Sequence, residues 1–314
     1  MNQLLTIVIP VFNRAKFLQR TLASVAANDA PFQLLLVDNG SSDGSLDICK
    51  KFAAENAQAA FEVKVLEETK AGAAAARNCG LEACQSEFIY FFDSDDEMSA
   101  DFASKIIDEL KRASEVDLLA VPVHMEVNGK TVVRSYEATS RAQAHILNNM
   151  LGTHSMIFRT EWLREIGGWD ATLKVWNDWE LGVRTLLAHP RMRWFTNDVF
   201  HHITVHNESL TSSSFSSTLE ATLTSMYKAL KDIDTASIAD AERSTCKRAL
   251  YLRAYIMAGN LLREKNPEGV KAYIDAAKEI MPHPSKPIYM LARMLKTYVG
   301  AGGRGAWRIA LQAV

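Results

Sequence analysis

Short, largely apolar runs alternate with helix-patterned segments through roughly the first third of the chain. Four such runs, at residues 4–9, 33–37, 63–66 and 88–92, are only four to six residues long. Runs of this kind are typical of strands buried on both faces of a sheet, whereas residues 14–28 repeat their apolar side chains at helical spacing. This alternation, with short connections, predicts a doubly wound, mostly parallel α/β sheet.

An acidic turn, Asp93-Ser94-Asp95-Asp96, follows the fourth run directly. Ligands of open α/β sheets bind beyond the carboxyl ends of the strands, so the turn is expected to lie in a binding crevice. Carboxylates two residues apart can converge on one divalent cation, and Mn²⁺ or Mg²⁺ combines few carboxylates with phosphate oxygens and water. The alternative is a solvated acidic loop, or the N-cap of the next helix.

Two further features favour an anionic ligand at the same edge. Asp38 and Asp43 lie in the turn that ends the second run, where an acidic side chain can bind a ribose or base. Ordinary turn chemistry is the alternative for this segment. Gly72 opens a helix that carries Arg77, and free backbone N–H groups beside a guanidinium suit a phosphate. The spacing matches neither a Walker loop nor the dinucleotide-binding fingerprint.

The bulk properties exclude several classes of protein. A net charge of −2 and a pI near 6.5 provide no general attraction for nucleic acid, so none is expected as a partner. The four cysteines include no CxxC pair, which argues against a disulfide scaffold or a zinc site. The N-terminal apolar run ends at Pro10, and no segment is apolar enough to span a bilayer, so a cytoplasmic location is expected.

The pattern changes along the chain in a way that predicts two domains. Strand–helix alternation loosens after residue 100, and almost everything beyond residue 218 is helix-patterned. A Ser-rich stretch at residues 211–217 precedes that change. We therefore predict an α/β domain at 1–215 and an α-helical domain at 216–314.

Several segments, in the expected order, resemble the inverting glycosyltransferases of family 2, which have the GT-A fold. They cover about the first two thirds of the chain and lie at residues 7–14, 37–44, 76–80, 91–96, 165–170 and 177–181. The resemblance implies that residues 1–215 form a Rossmann-like GT-A domain with helices on both faces of the sheet. It also implies a nucleotide-sugar donor, a UDP-sugar being the main expectation, and a glycan or lipid-linked acceptor in bacterial surface polysaccharide or lipopolysaccharide assembly.

The same resemblance implies a role for individual residues. The metal would be bound by Asp95, and His206 would approach the diphosphate or the metal, with Val205 where the family usually has Arg. Asp178 corresponds to the catalytic base, although Asn177 replaces the acidic residue that usually precedes it. The remaining donor-site residues are Pro10, Phe12, Asn13, Asp38, Arg77, Asp93, Ser94 and Asp96.

The chemistry of such a reaction is consistent with these roles. A cation stabilises the charge that grows on the leaving diphosphate, and a carboxylate that accepts the acceptor proton is typically worth ~10²–10⁴-fold in rate. A single displacement then inverts the anomeric centre. For Asp178 the alternative is a carboxylate that merely stabilises the first turn of a helix. For the whole chain the alternatives are a nucleotidyltransferase, whose Gly- and Lys-rich loop is missing, and a non-catalytic nucleotide-sugar-binding or assembly protein.

Other segments leave two interpretations open. The C-terminal helices combine apolar residues with Lys286, Arg293, Lys296, Arg304 and Arg308. This pattern predicts either peripheral contact with anionic lipid at the inner face of the membrane, or helices packed on one another or on a second subunit of a homodimer. His154 and Trp176 either border the acceptor or are structural, and His201 and His202 are expected to be structural.

Overall fold

The computed structural model describes residues 3–127, 130–134, 142–195, 201–204 and 214–314. In chain order the strands are β1 (Leu5–Val11), β2 (Gln33–Asp38), β3 (Glu62–Glu67), β4 (Phe88–Phe91), β5 (Glu97–Met98), β6 (Leu118–Ala120), β7 (Val123–Val127), β8 (Lys130–Arg134), β9 (Met156–Arg159), β10 (Met192–Trp194) and β11 (His201–Thr204). The helices are α1 (Ala15–Ala26), α2 (Ser45–Glu55), α3 (Ala73–Ala83), α4 (Phe102–Arg112), α5 (Ala142–Leu147), α6 (Thr160–Glu165), α7 (Asn177–Leu187), α8 (Leu219–Thr235), α9 (Asp240–Arg263), α10 (Pro267–Ile280), α11 (Lys286–Gly300) and α12 (Ala306–Leu311).

The main sheet has the strand order β10-β6-β9-β4-β1-β2-β3. Strand β1 is parallel to β2 and β4, β2 is parallel to β3, and β10 is parallel to β6. Only β9 runs antiparallel to its neighbours β4 and β6 within this described sheet. Every residue of β1, β2 and β4 is buried, which explains why the sequence of each is a nearly continuous apolar run. The predicted mostly parallel α/β sheet is confirmed.

Helix α3 lies very close to the centre of the sheet. A Cβ atom added to Gly80, in the middle of α3, would collide with the side chain of Val8 on β1. This helix carries Arg77, so its close packing on β1 fixes the height of the Arg77 backbone above the sheet edge.

A second, smaller sheet has the order β5-β11-β7-β8. Its β7 and β8 strands form an antiparallel hairpin on either side of residues 128–129, where the sequence has Asn-Gly. Strand β11 pairs in parallel with β7 and antiparallel with β5.

The chain divides into two compact units whose segments interleave. The first unit contains Met1–Ala138, Leu151–Thr172 and Pro190–Asn207, and the second contains Thr139–Met150, Leu173–His189 and Glu208–Val314. The second unit is helical and includes α5, α7 and α8 to α12, so the predicted helical C-terminal region is confirmed. A domain boundary at residue 215 stays a prediction. Among the described residues, no helix combines the length and the apolar character needed to cross a membrane.

Candidate functional site

The carboxyl ends of β1, β2 and β4 lie side by side at one edge of the main sheet. Val11 at the end of β1 is opposite Asp38 at the end of β2, and Val8 is opposite Phe91 at the end of β4. A hydrogen bond from the N–H of Asn39 to the carbonyl of Val11 (2.8 Å) continues the pairing past the end of β2. The loops after these strands therefore occupy the edge at which open α/β sheets bind ligands.

Asp38 is a buried carboxylate with one unused oxygen. It is 2% exposed, and its Oδ2 accepts hydrogen bonds from the backbone N–H groups of Gly40 (3.1 Å) and Ser41 (3.0 Å). Its Oδ1 is buried and has no hydrogen-bond partner within the described ranges. Because a buried, unpartnered carboxylate oxygen is costly, this atom is suited to accept a hydrogen bond from a bound molecule.

The other residues predicted at the end of β1 have different environments. Pro10 is buried within the strand, whereas the side chain of Phe12 is 54% exposed. Asn13 adopts a positive φ of 50°, and its Oδ1 accepts a hydrogen bond from the N–H of Ser42 (2.8 Å). Phe12 is therefore the member of this group with a free aromatic surface, and Asn13 joins the loop after β1 to the loop after β2.

Asn39 connects the loop after β2 to the start of α3. Its Nδ2 donates to the carbonyls of Glu68 (2.9 Å) and Lys70 (2.8 Å), and its Oδ1 accepts from the N–H of Gly72 (2.7 Å). Gly72 precedes α3 with a φ of 122°, which few residues other than glycine adopt. The side chain of Asn39 thus fixes the segment from which α3 begins.

Arg77 and Asp93 form a close ion pair beside Trp169. The Nη2 of Arg77 donates to Oδ1 of Asp93 (2.8 Å), and the guanidinium lies 4.4 Å from the centre of the Trp169 ring. Asn78 fixes Trp169, since its side-chain amide exchanges hydrogen bonds with the carbonyl (2.8 Å) and the N–H (2.9 Å) of that residue. Burial raises the pKa of Asp93, but the charge and hydrogen bond of Arg77, together with the charges of His154 and Arg14, lower the pKa below its usual range. Asp93 is therefore ionised at neutral pH.

Asp96 pairs with a histidine from a distant part of the sequence. The Nε2 of His154 lies 2.9 Å from Oδ2 of Asp96 and 3.8 Å from Oδ2 of Asp93. One ligand atom from each of Asp93, Asp96 and His154 lies within 4.8 Å of the others, so these groups could hold a metal ion. Burial raises the pKa of Asp96, with the bond from His154 acting against it. Burial lowers the pKa of His154, but the two carboxylates outweigh burial and raise it.

Helix α1 fixes the rest of the acidic turn. Thr21 donates to the carbonyl of Ser94 (3.0 Å), and Arg20 donates to the carbonyl of Asp95 (3.0 Å). The carboxylate of Asp95 lies 3.5 Å from Nε of Arg14. A divalent cation bound to Asp95 would therefore compete with Arg14 for this carboxylate.

The carboxylates of the turn differ in accessibility. The side chain of Asp93 is 32% exposed and that of Asp95 17%, whereas that of Asp96 is only 4% exposed. A divalent cation that also binds phosphate oxygens and water needs open coordination positions. Asp93 and Asp95 meet this requirement of accessibility, and an oxygen of Asp93 lies within 4.8 Å of ligand atoms of Asp96 and His154, so the acidic turn offers donors that fit a divalent cation. The Asp96–His154 pair is buried, so it is better suited to stabilise the conformation of the turn than to hold a cation with open coordination positions.

Asp178 lies in the second unit, in the first turn of α7. Its Oδ1 accepts a hydrogen bond from the N–H of Trp179 (2.8 Å), and its Oδ2 accepts one from Nδ2 of Asn149 (3.3 Å). The side chain is partly exposed. Two neutral donors thus orient the carboxylate, and no described basic side chain forms an ion pair with it.

A family model described as "Glycosyl transferase family 2" matches residues 6–167. The chain belongs to glycosyl transferase family 2. The matched residues include the three strand ends and their loops, the acidic turn and His154, all within the segment from β1 to α6.

Curated members of the family are similar over about half of this chain. The minor teichoic acid biosynthesis protein GgaA of Bacillus subtilis is 29% identical over 186 residues, which are 55% of this chain and 41% of GgaA. The poly(ribitol-phosphate) beta-N-acetylglucosaminyltransferase TarS of Staphylococcus aureus is 28% identical over 169 residues, which are 51% of this chain and 28% of TarS. The chain thus spans less than half the length of either relative.

Solved structures of similar fold cover the whole chain. The structure of S. aureus TarS 1-349 with UDP-GlcNAc has a TM-score of 0.73 at 19% identity and covers 100% of this chain and 91% of that one. A mannosyltransferase from Pyrobaculum calidifontis, solved with GDP-Man and Mn²⁺, has a TM-score of 0.60 at 17% identity, with 100% and 87% coverage. These likenesses confirm the GT-A-like fold.

The order of the strands explains why His154 joins the acidic turn of this family 2 chain. Strand β9 runs antiparallel to β4, with Ile157 opposite Tyr90, so the residues just before β9 lie at the carboxyl end of β4. The sequence offers no signal for this antiparallel insertion. His206 lies outside the described residues, and His201 and His202 are described only as backbone of β11.

Proposed function

We propose that this member of family 2 is an inverting glycosyltransferase that moves a sugar from a UDP-sugar to a hydroxyl group. The observation that carries the proposal is the juxtaposition of Arg77, Asp93 and Asp95 with the unused oxygen of Asp38 at one sheet edge. A guanidinium suits the diphosphate of such a donor, and two accessible carboxylates suit the cation that accompanies it. The buried oxygen of Asp38 suits a hydrogen bond from the nucleoside.

The nucleoside would bind at the ends of β1 and β2. The exposed ring of Phe12 offers a surface on which a base can stack, and Oδ1 of Asp38 can accept a hydrogen bond from the base or ribose. UDP is the nucleotide we propose, because the structures of S. aureus TarS that share this fold were solved with UDP and with UDP-GlcNAc.

Asp95, with Asp93 beside it, would hold a Mn²⁺ or Mg²⁺ ion. When bound, the cation would offset the negative charge that develops on the leaving diphosphate. Arg77 adds a fixed positive charge, and the Asp96–His154 pair holds the turn in place. His206 stays a prediction as a further ligand, and Ser94 acts through its backbone, which Thr21 positions.

Asp178 would act as the general base. Its carboxylate would accept the proton of the acceptor hydroxyl while that oxygen bonds to the anomeric carbon. The bond between the sugar and the diphosphate breaks at the same time, and its electron pair leaves with the nucleotide. The configuration at the anomeric carbon is therefore inverted, and no covalent sugar–protein bond forms. The hydrogen bond from Asn149 would keep the carboxylate oriented for this transfer.

The acceptor would be a glycan or a lipid-linked precursor of a bacterial surface polymer. The names of two relatives support this setting, since GgaA is a minor teichoic acid biosynthesis protein and TarS is a poly(ribitol-phosphate) beta-N-acetylglucosaminyltransferase. The location we propose is cytoplasmic, at the inner face of the membrane.

Helix α11 supports contact with the membrane surface. Four of its large apolar side chains, Tyr289, Met290, Met294 and Tyr298, are 40–56% exposed, and the helix contains no Asp or Glu. Basic residues on a helix with an exposed apolar face suit anionic lipid, whereas self-association through this face would bring like charges together.

Sedimentation with vesicles of phosphatidylcholine, with and without phosphatidylglycerol, tests this contact. Binding that needs the anionic lipid and is lost in Met290→Glu supports it, and a homodimer without vesicle binding refutes it.

The release of UDP tests the transferase itself. The protein is incubated with Mn²⁺ and a panel of nucleotide-sugars, and free nucleotide is measured with and without candidate acceptors. We expect release from one donor, lost in Asp95→Ala and retained in the matched control Asp101→Asn, an exposed acidic residue beyond the turn. Pyrophosphate release from a nucleoside triphosphate and a sugar phosphate would indicate a nucleotidyltransferase instead. A melting shift by nucleotide-sugars without turnover would indicate a binding protein.

A further inference from the structure

Trp176 holds an unusual backbone conformation immediately before α7. Its φ is 57°, in the left-handed region that bulky side chains rarely adopt. Such a conformation persists where the surrounding structure imposes it, and it is concentrated at binding and catalytic sites. Asp178 follows two residues later, so the conformation of Trp176 also sets the start of the helix that carries the proposed base.

A guanidinium from α9 supports the Trp176 ring. The Cζ atom of Arg253 lies 4.5 Å from the centre of the Trp176 ring and 5.0 Å from that of Trp179. Its Nη1 donates to the carbonyls of Ile146 (3.0 Å) and Leu147 (3.1 Å) at the end of α5. Burial lowers the pKa of Arg253 to about 10, so the group stays charged at neutral pH. One face of the Trp176 ring is therefore covered by a fixed cation.

A second aromatic residue packs against the ring of Trp176. Trp179 meets Trp176 edge to face with their ring centres 5.3 Å apart, and its own indole N–H donates to the carbonyl of Ile146 (3.3 Å). Trp179 is fully buried, whereas Trp176 remains partly exposed. The surroundings thus hold a rigid indole and leave part of it open.

We infer that Trp176 is the platform on which the acceptor binds, and that the acceptor presents a pyranose ring. This inference rests on the proposed function and names the acceptor class. The C–H groups on one face of a pyranose carry partial positive charge and match the negative face of an indole. Asp178 follows Trp176 by two residues and is hydrogen-bonded to Asn149, so polar groups that can bind the hydroxyl groups of a pyranose accompany the aromatic surface, as in other small-molecule sites. A linear alditol phosphate has no such ring face. Arg253 is also not available for its phosphate, because the guanidinium already contacts the Trp176 ring and two carbonyls.

Saturation-transfer NMR with two chemically different probes tests the inference. The protein with UDP and Mg²⁺ is titrated with methyl β-D-glucopyranoside or methyl N-acetyl-β-D-glucosaminide, and separately with ribitol 5-phosphate. We expect strong transfer to the ring C–H protons of a pyranoside and none to ribitol phosphate. Trp176→Gly removes the ring at a position whose positive φ glycine adopts readily, so the backbone should fold as before. This variant should lose transfer at least fivefold, whereas Trp176→Phe should retain most of it.

Trp162 provides the matched control, because its ring is partly exposed and stacks on Phe158 in the other unit. Trp162→Phe should leave transfer to the pyranosides unchanged. Equal transfer in wild type and Trp176→Gly, no pyranoside binding, or ribitol phosphate binding that needs Trp176 would each overturn the inference. UDP release is measured on the same wild-type samples. Trp176-dependent pyranoside binding with no release from any donor would refute the proposed function and leave the platform standing.

Discussion

His145 makes the stability of the second unit dependent on pH. Its side chain is fully buried, its Nδ1 accepts a hydrogen bond from the N–H of Met150 (3.0 Å), and its Nε2 lies 2.9 Å from the carbonyl of Trp179. Nδ1 must be unprotonated to accept that bond, so the ring is the neutral tautomer with its hydrogen on Nε2. Burial accordingly lowers the pKa of His145 from 6.5 to about 4.

The sign and size of the effect follow from that shift. Because the unfolded chain binds the proton more readily than the folded chain, stability falls as pH falls from about 6.5 towards 4. One pKa unit corresponds to about 1.4 kcal/mol, so acidification from pH 7 to pH 4.5 should remove roughly 2–3 kcal/mol of unfolding free energy. A Cβ atom on Gly182 of α7 would collide with this imidazole, so the ring packs directly beneath the helix that carries Asp178.

Urea unfolding of wild type and His145→Asn at the two pH values isolates this contribution from those of other groups. The stability difference between the two proteins should shrink by that amount at the acidic pH, with equal m-values. The imidazole signal of His145 in the folded protein should also not titrate above about pH 5. A constant difference, or a His145 titration near its ordinary pKa, would refute the assignment of a buried neutral histidine.

Three further substitutions test other parts of the account. Asn39→Ala removes three hydrogen bonds before and at the start of α3, so it should lower the free energy of unfolding in urea by about 2–4 kcal/mol. The control Asn56→Ala loses one hydrogen bond and should cost roughly 1 kcal/mol. Equal costs would contradict the proposed anchoring of α3 by Asn39. Gly80→Val should destabilise the first unit by about 1–3 kcal/mol or more through overpacking on β1, and an unchanged melting temperature would argue against the close approach. Asp178→Asn should lower turnover ~10²–10⁴-fold while nucleotide affinity is retained, and unchanged turnover would remove Asp178 from the base role.

The sequence predicts the parallel part of the fold because each buried strand needs an apolar run and each crossover needs an amphipathic helix. Residues 4–9, 33–37 and 88–92 became β1, β2 and β4 with small changes at their ends. The position of β9 between β4 and β6 could not be predicted, because an antiparallel insertion depends on long-range pairing rather than on local pattern.

The same distinction applies to the candidate site. The location of Asp38 and the acidic turn at one sheet edge could be predicted, because Asp38 ends one strand and the turn follows another, and the carboxyl ends of these strands share that edge. The contact of His154 with Asp96 depends on the pairing of β9. The contact of Arg253 with the end of α5 depends on packing between α9 and α5. Asparagine is common in turns, so the sequence could not indicate that Asn39 also accepts a hydrogen bond from Gly72.

The affinity for Mn²⁺ depends on which side chains of the acidic turn are metal ligands. Free Mn²⁺ is measured by electron paramagnetic resonance in the presence of UDP for wild type, Asp95→Asn and His154→Gln, a substitution that keeps a donor for Asp96. We predict that Asp95→Asn weakens Mn²⁺ binding at least tenfold, because it removes an accessible charged ligand, and that His154→Gln weakens it less than threefold. Near wild-type affinity in Asp95→Asn with a large loss in His154→Gln would contradict the account and place the cation among Asp93, Asp96 and His154.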